Sequence, residues 1–163
     1  CGGGGSTASN STPVLDTVSA QTTNEDAAKT VTLVGTDVDS GDTLTYSATT
    51  TESNVTISVS GAVLTLTPAA NWNGTATIIA KVNDGTVDST TQSFVLTVAP
   101  VNDAPVLGVI TNQTSNQGVT QTVSISASDI DGDSLTYTLT SNPTDKVTGS
   151  VTGSILTMTQ IGR

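Results

Sequence analysis

Pro100-Val101-Asn102-Asp103-Ala104-Pro105-Val106 stands between two copies of one sequence pattern. Outward from it, Pro13-Val14-Leu15 returns as Pro105-Val106-Leu107, and Gln21-Thr22-Thr23-Asn24 as Gln113-Thr114-Ser115-Asn116. Asp37-Val38-Asp39 returns as Asp129-Ile130-Asp131, and Gly61-Ala62-Val63-Leu64-Thr65-Leu66-Thr67 as Gly153-Ser154-Ile155-Leu156-Thr157-Met158-Thr159. Each pair is separated by 92 positions. Leu44-Thr45-Tyr46 and Leu135-Thr136-Tyr137 are separated by 91, because the preceding loop is one residue longer in the first copy. Chance does not hold one offset across so many segments, so the chain is a tandem repeat.

Within the first copy, extended segments are expected at 14–22, 29–36, 43–50, 54–59, 62–67, 75–82 and 91–98. Val31 alternates with polar neighbours into Leu33, and Leu64 into Leu66, at the period of a half-buried strand. Asp-Ser-Gly-Asp at 39–42, Ser-Gly at 60–61, Asn-Gly at 73–74 and Asn-Asp-Gly at 83–85 supply the turns between segments. Seven short strands in about 90 residues predict an all-β, Greek-key, immunoglobulin-like sandwich. The second copy reaches only the counterpart of Asn71, so it supplies five of the seven segments. In a sandwich its third segment, near Leu135–Thr140, is then left without sheet partners. Two readings follow: the polypeptide continues, or a neighbouring chain donates strands and the protein is a filament subunit. The organisation expected is a flexible Gly/Ser/Thr tether at 1–12, repeat 1 at 13–100, a linker at 101–105 and an incomplete repeat 2 at 106–163.

Composition agrees with β structure and excludes several functions. Of the 163 residues, 34% are hydrophobic and only 11% charged, unlike a disordered polyelectrolyte. Thr and Val are abundant, and their branched side chains pack well on a pleated surface. The net charge is −10 and the cations are Lys29, Lys81, Lys146 and Arg163 alone, which excludes a phosphate-backbone partner. No apolar run approaches the roughly 18 residues of a membrane-spanning helix. Cys1 is the only cysteine, so no intrachain disulfide forms. No histidine is present to act as a general base, and no serine has an evident base partner, so the chain reads as non-enzymatic. Trp72, the only tryptophan, suits the plug of a sandwich end, with a carbohydrate-stacking platform as the other reading. Tyr46 and Tyr137 hold equivalent places and read as structural.

Antiparallel strands place alternate loops at opposite ends of a sandwich, and this sorts the acids. One end of repeat 1 collects Asp37, Asp39, Asp42 and Asp84; the same end of repeat 2 collects Asp129, Asp131 and Asp133. The other end of repeat 1 collects Glu25 and Asp26, with Asn102 and Asp103 just beyond. Head-to-tail stacking is expected to bring Glu25, Asn102 and Asp103 towards Asp129 and Asp131. Calcium takes about six to eight oxygens of this kind, and crowded carboxylates repel without a cation. Turn chemistry alone also favours Asp and Asn in such loops, through side-chain to backbone bonds.

Asn24-Glu25-Asp26, Thr36-Asp37-Val38-Asp39, Asn71-Trp72-Asn73-Gly74, Val82-Asn83-Asp84-Gly85 and Val101-Asn102-Asp103-Ala104-Pro105-Val106 together resemble the cadherin-like repeats of bacterial surface proteins. The resemblance implies calcium between successive domains, with Glu25, Asn102, Asp103, Asp129 and Asp131 at liganding positions and Asp37, Asp39 and Asp84 in an upper half-site. It implies rigid arrays and adhesion, with partners among other copies of the chain, neighbouring repeats, or a surface glycan or protein. The sequence departs from the family where Ala70-Asn71-Trp72-Asn73 replaces an acidic segment, where Ala99 and Pro100 precede the linker, and where Gln117 stands for Glu25. Cys1 followed by Gly2-Gly3-Gly4-Gly5-Ser6 resembles a processed bacterial lipoprotein, which implies acylation of Cys1 and an outer-membrane address. A synthetic conjugation linker has the same composition. The function expected is a cell-surface adhesive or structural spacer; a filament subunit and a carbohydrate-binding accessory domain are the alternatives.

Overall fold

Alternation in two long segments, Gly74–Asn83 and Gln92–Ala99, builds the centre of the first unit, Cys1–Val101. The computed structural model describes residues 9–141 and 146–162, and no helix occurs among them. In chain order the first unit holds β1 (Val14–Leu15), β2 (Gln21–Asn24), β3 (Lys29–Thr32), β4 (Gly35–Thr36), β5 (Thr45–Thr50), β6 (Val55–Ser60), β7 (Val63–Pro68), β8 (Gly74–Asn83) and β9 (Gln92–Ala99). One sheet runs β2-β9-β8-β5 and the facing sheet β3-β7-β6, while β1 pairs with β4. The inward residues are Ala76, Ile78, Ala80 and Val82 of β8, and Phe94, Leu96 and Val98 of β9. They pack on Val31, Leu33, Val55, Leu64 and Leu66 from the other sheet. Burying each larger aliphatic side chain contributes about 1.5–3 kcal/mol. Trp72 is partly buried against this core, as a plug requires. Tyr46 donates no less to order: its hydroxyl oxygen accepts the Gly35 N–H at 3.1 Å.

The first expected strand, 14–22, is two strands. Val14 and Leu15 pair antiparallel with Thr36 and Gly35, and the Asp16 N–H closes that ladder on Val34 O at 2.8 Å. The chain then crosses to the other sheet, where Gln21–Asn24 run parallel to Leu96–Ala99. One segment thereby pairs first with β4 and then with β9. The second expected strand, 29–36, is likewise interrupted at Leu33, whose N–H turns to Ala62 O at 2.8 Å.

The second unit, Asn102–Arg163, repeats half of this arrangement. β10 (Val106–Leu107) pairs with β12 (Ala127–Ser128), and β11 (Thr120–Ser124), β14 (Ile155–Gln160) and β13 (Val147–Thr152) form one sheet in the order β11-β14-β13. These match β1-β4 and β3-β7-β6 of the first unit. Residues 135–140 correspond to β5, yet form no strand among the described residues, because the partner of β5 is β8. Residues 113–116 correspond to β2 and form none either, because the partner of β2 is β9.

Candidate metal centre

In the first unit, the loop after β4 and the turn after β8 meet at one end. Asp37, Asp42 and Asp84 each offer a carboxylate oxygen, and these oxygens lie within 4.8 Å of one another. Asp84 is the buried member, 5% exposed. Its Oδ1 accepts the N–H groups of Thr86 and Val87, both at 2.7 Å, which is the turn chemistry of an Asp that closes a hairpin. Its Oδ2 accepts from Asn10 Nδ2 at 2.9 Å. These bonds, that from Val87 foremost and then that from Asn10, hold the Asp84 carboxyl below its ordinary pKa. Asp42 is pushed the other way, by desolvation first and then by the negative charges of Asp37, Asp39 and Asp84. One carboxylate is therefore stabilised by donors while its neighbour carries the cost of crowding.

Asp37 has a divided role. Its Oδ1 accepts the Asp39 N–H at 2.7 Å, an Asx turn. Its Oδ2 is buried and meets no hydrogen-bond donor among the described residues. Asp39 points elsewhere, with Oδ2 accepting the Ser11 N–H at 2.6 Å. Of the upper set expected from sequence, Asp37 and Asp84 thus come together, while Asp39 ties down the incoming chain. Asp42 completes the group. It stands in the same loop in the sequence, but the family resemblance did not mark it. Asn10 was also missed, because residues 1–12 read as tether. The signal was present: Asn10-Ser11-Thr12-Pro13 lies 92 positions before Asn102-Asp103-Ala104-Pro105. Three carboxylates of this kind, with a backbone-rich loop around them, suit a hard divalent cation such as calcium.

The remaining expected ligands lie in both units and are described within each. Glu25 is 4% exposed, and its Oε1 accepts the Val101 N–H while its own N–H bonds Ala99 O at 2.9 Å. The next residue, Asp26, sits at φ 58°, and its Oδ1 accepts the Asn71 N–H at 2.9 Å. In the second unit, Asp129 Oδ1 accepts the Asp131 N–H at 2.9 Å, and Asp131 Oδ2 accepts the Asp103 N–H at 2.6 Å. Asn102 Nδ2 donates to Asp103 O at 2.8 Å. Cys1, the expected acylation site, lies outside the described residues.

The chain matches the family model of the cadherin-like domain over residues 9–99. Among curated protein sequences none matches. Among solved structures, the N-terminal Ig1-2 module of the Drosophila receptor protein tyrosine phosphatase DLAR is 14% identical, with a TM-score of 0.38, covering 94% of this chain and 85% of that one. FdeC, an Escherichia coli adhesin described as eliciting protection against urinary tract infections, is 21% identical, with a TM-score of 0.36, covering 91% of this chain and 55% of the adhesin. The family match takes in more than half of the sequence and includes Asp37, Asp42 and Asp84; the chain belongs to the cadherin-like domain family.

Proposed function

We propose that this chain is a cell-surface adhesive or structural spacer whose first unit binds calcium through Asp37, Asp42 and Asp84. Membership of the cadherin-like family supports the surface role. The observation that carries the metal is the meeting of three carboxylates within 4.8 Å beside a buried Asp37 oxygen that finds no donor among the described residues. The chemistry of the chain is binding and load-bearing rather than catalysis. Rotation of the Asn10 amide by half a turn replaces its N–H donor by a carbonyl oxygen, so the same side chain serves Asp84 without metal and the ion with it. Titration calorimetry of the full chain with calcium chloride tests the site. Loss of one calcium per chain from the stoichiometry on replacing Asp37 supports it, and an unchanged stoichiometry in that variant, or an absence of binding heat at millimolar calcium, sinks it.

Glu25, Asn102, Asp103, Asp129 and Asp131 remain a second proposed calcium set, read from sequence and family. Asp131→Ala is expected to lower the calcium stoichiometry and leave the first unit folded. Attachment to an outer membrane through an acylated Cys1 belongs to the same proposal. Mass spectrometry of the N-terminal peptide from a bacterial host decides it, since an unmodified Cys1 leaves no lipid anchor.

A further inference from the structure

The first unit closes one side of its sandwich and leaves the other open. Its edge strands are β2 and β5 in one sheet, β3 and β6 in the other. On the β2 and β3 side the chain supplies its own cover. Residues 16–20 cross from β1 to β2 beside β3, where Asp16, Thr17 and Val18 line a hollow of about 320 Å³ together with Thr30, Val31 and Thr32. Val18 packs against the core there, and Lys29 begins β3 with a charge that deters a further strand.

The β5 and β6 side has neither device. Thr45–Thr50 and Val55–Ser60 are 6 residues each and hold no charge and no proline, in a chain of net charge −10. Beside these strands Tyr46, Ala48, Ile57 and Val59 are only partly buried against the core. An apolar seam therefore lies between two unprotected edges. An edge left blank in this way is a template for another strand.

The direction of the β5 backbone groups follows from its neighbour. Val82, opposite Tyr46, donates its N–H to Ser89 Oγ at 3.0 Å, and its carbonyl accepts the Ser89 N–H at 2.8 Å. The backbone groups of Val82 thus point away from β5, and in an antiparallel ladder those of Tyr46 then point away from β8. Alternation puts the N–H and C=O of Tyr46, Ala48 and Thr50 at the free edge.

We propose that β5 is a self-association strand, which pairs antiparallel with β5 of a second copy about a two-fold axis at Ala48. Tyr46 then bonds the partner's Thr50, Ala48 bonds the partner's Ala48, and every edge-facing group of both strands is satisfied. The two 4-stranded sheets become one, and each copy covers the other's seam. On the outer face Ser47 stands opposite the partner's Thr49, a hydroxyl pair that favours cross-strand association. A second copy is the occupant because the edge is blank and self-complementary: a charged peptide finds no counter-charge here, and the strand presented is the strand received. A single edge of 6 residues buries less than a standard interface of about 1,600 Å², so the pairing is weak and acts where copies are held close together. It supplies a partner for the surface role proposed above; measured in solution, it stands or falls whether or not that role is right.

The test uses the full chain with Cys1→Ser and either Ser47→Cys or Thr49→Cys, oxidised at about millimolar protein, where a weak pair is populated. Ser47 and the partner's Thr49 form a non-hydrogen-bonded pair with Cα atoms about 4.5 Å apart, within disulfide reach. Mixing the two variants is expected to give the mixed disulfide in about ten-fold excess over either homodimer, resolved by mass, against about two-fold for random pairing. Ala48→Pro removes an edge-facing N–H that β8 does not use, so the first unit is expected to stay folded and to sediment as a monomer at the same concentration. Random disulfide proportions overturn the proposal. So does a chain that is monomeric without substitution, or self-association that survives in folded Ala48→Pro and so belongs to another face. If Ala48→Pro unfolds, the disulfide ratio alone decides.

Discussion

Asp39 accepts the backbone N–H of Ser11 at 2.6 Å. Asp131, 92 positions later, accepts that of Asp103 at the same distance. Asp37 and Asp129 likewise hold the amides two residues on, at 2.7 and 2.9 Å. The repeat therefore extends to side-chain hydrogen bonds, and Asn10 and Ser11 are held by Asp84 and Asp39 of the first unit.

Calcium bound at the proposed site would stabilise the unit that holds it. At one hundred times its dissociation constant an ion adds about 2.7 kcal/mol, so chelator lowers the melting temperature of the full chain by several degrees. Asp37→Ala should remove the part of this difference that belongs to the first unit. If calorimetry finds the chelator effect intact in that variant, the ion does not sit at Asp37.

Without calcium, the pH dependence of Asp42 and Asp84 has opposite sign. Asp84 is lowered in the fold, so its contribution is present above the ordinary carboxylate pKa and is lost as pH falls through the lowered value. Asp42 is raised, so ionising it costs stability, fully so above the raised value and not at all below the ordinary one. In chelator, Asp42→Asn should raise the melting temperature at neutral pH and lose that gain as the medium is acidified. Asp84→Asn should lower it at neutral pH. Thermal scans across pH check both.

Leu15 and Leu107 occupy one place in two environments. Leu15→Ala opens a cavity in a closed core and should cost about 2–5 kcal/mol. Leu107→Ala should cost less than about 1 kcal/mol, since the side chain is already more than half exposed. Denaturant unfolding of both variants measures the gap; equal costs contradict the exposure of Leu107.

Asp26 holds a left-handed backbone at φ 58°, where the second repeat has Gly118 at φ 77°. Asp26→Gly loses the bond from Asn71 but relieves the strain, while Asp26→Ala loses the bond and keeps the strain. Alanine should therefore be the worse replacement by about 1 kcal/mol, the reverse of the usual order in a strand.

Gly74 opens β8 at φ 153°, and a Cβ there meets the Trp72 ring at 2.9 Å. Gly74→Ala should destabilise the first unit by about 1–3 kcal/mol and shift tryptophan fluorescence towards that of an exposed ring. An unchanged emission maximum would mean that Trp72 does not plug this end.

Period-two alternation made β6, β7, β8 and β9 legible to within a residue or two, because their inward faces are fully apolar. The split of 14–22 was not legible, since Asp16-Thr17-Val18-Ser19-Ala20 alternates no less well than its flanks and only the pairing partners decide where the chain changes sheets. The acidic loops were legible as loops, from Asp and Gly. Which acids converge was not, because Asp39 and Asp42 differ in direction rather than in type, and direction is set by the Asx turn at Asp37. Residues 135–140 share the Leu-Thr-Tyr start of the β5 segment yet form no strand among the described residues.

The parallel pairing of Gln21–Asn24 with Leu96–Ala99 has a mechanical consequence. Tension entering the first unit through β2 and leaving through β9 draws the two strands past each other along their length. All the bonds of that pairing are then loaded together, in shear, rather than one after another as in an opening zipper. A domain paired in this way yields late and abruptly under such a pull.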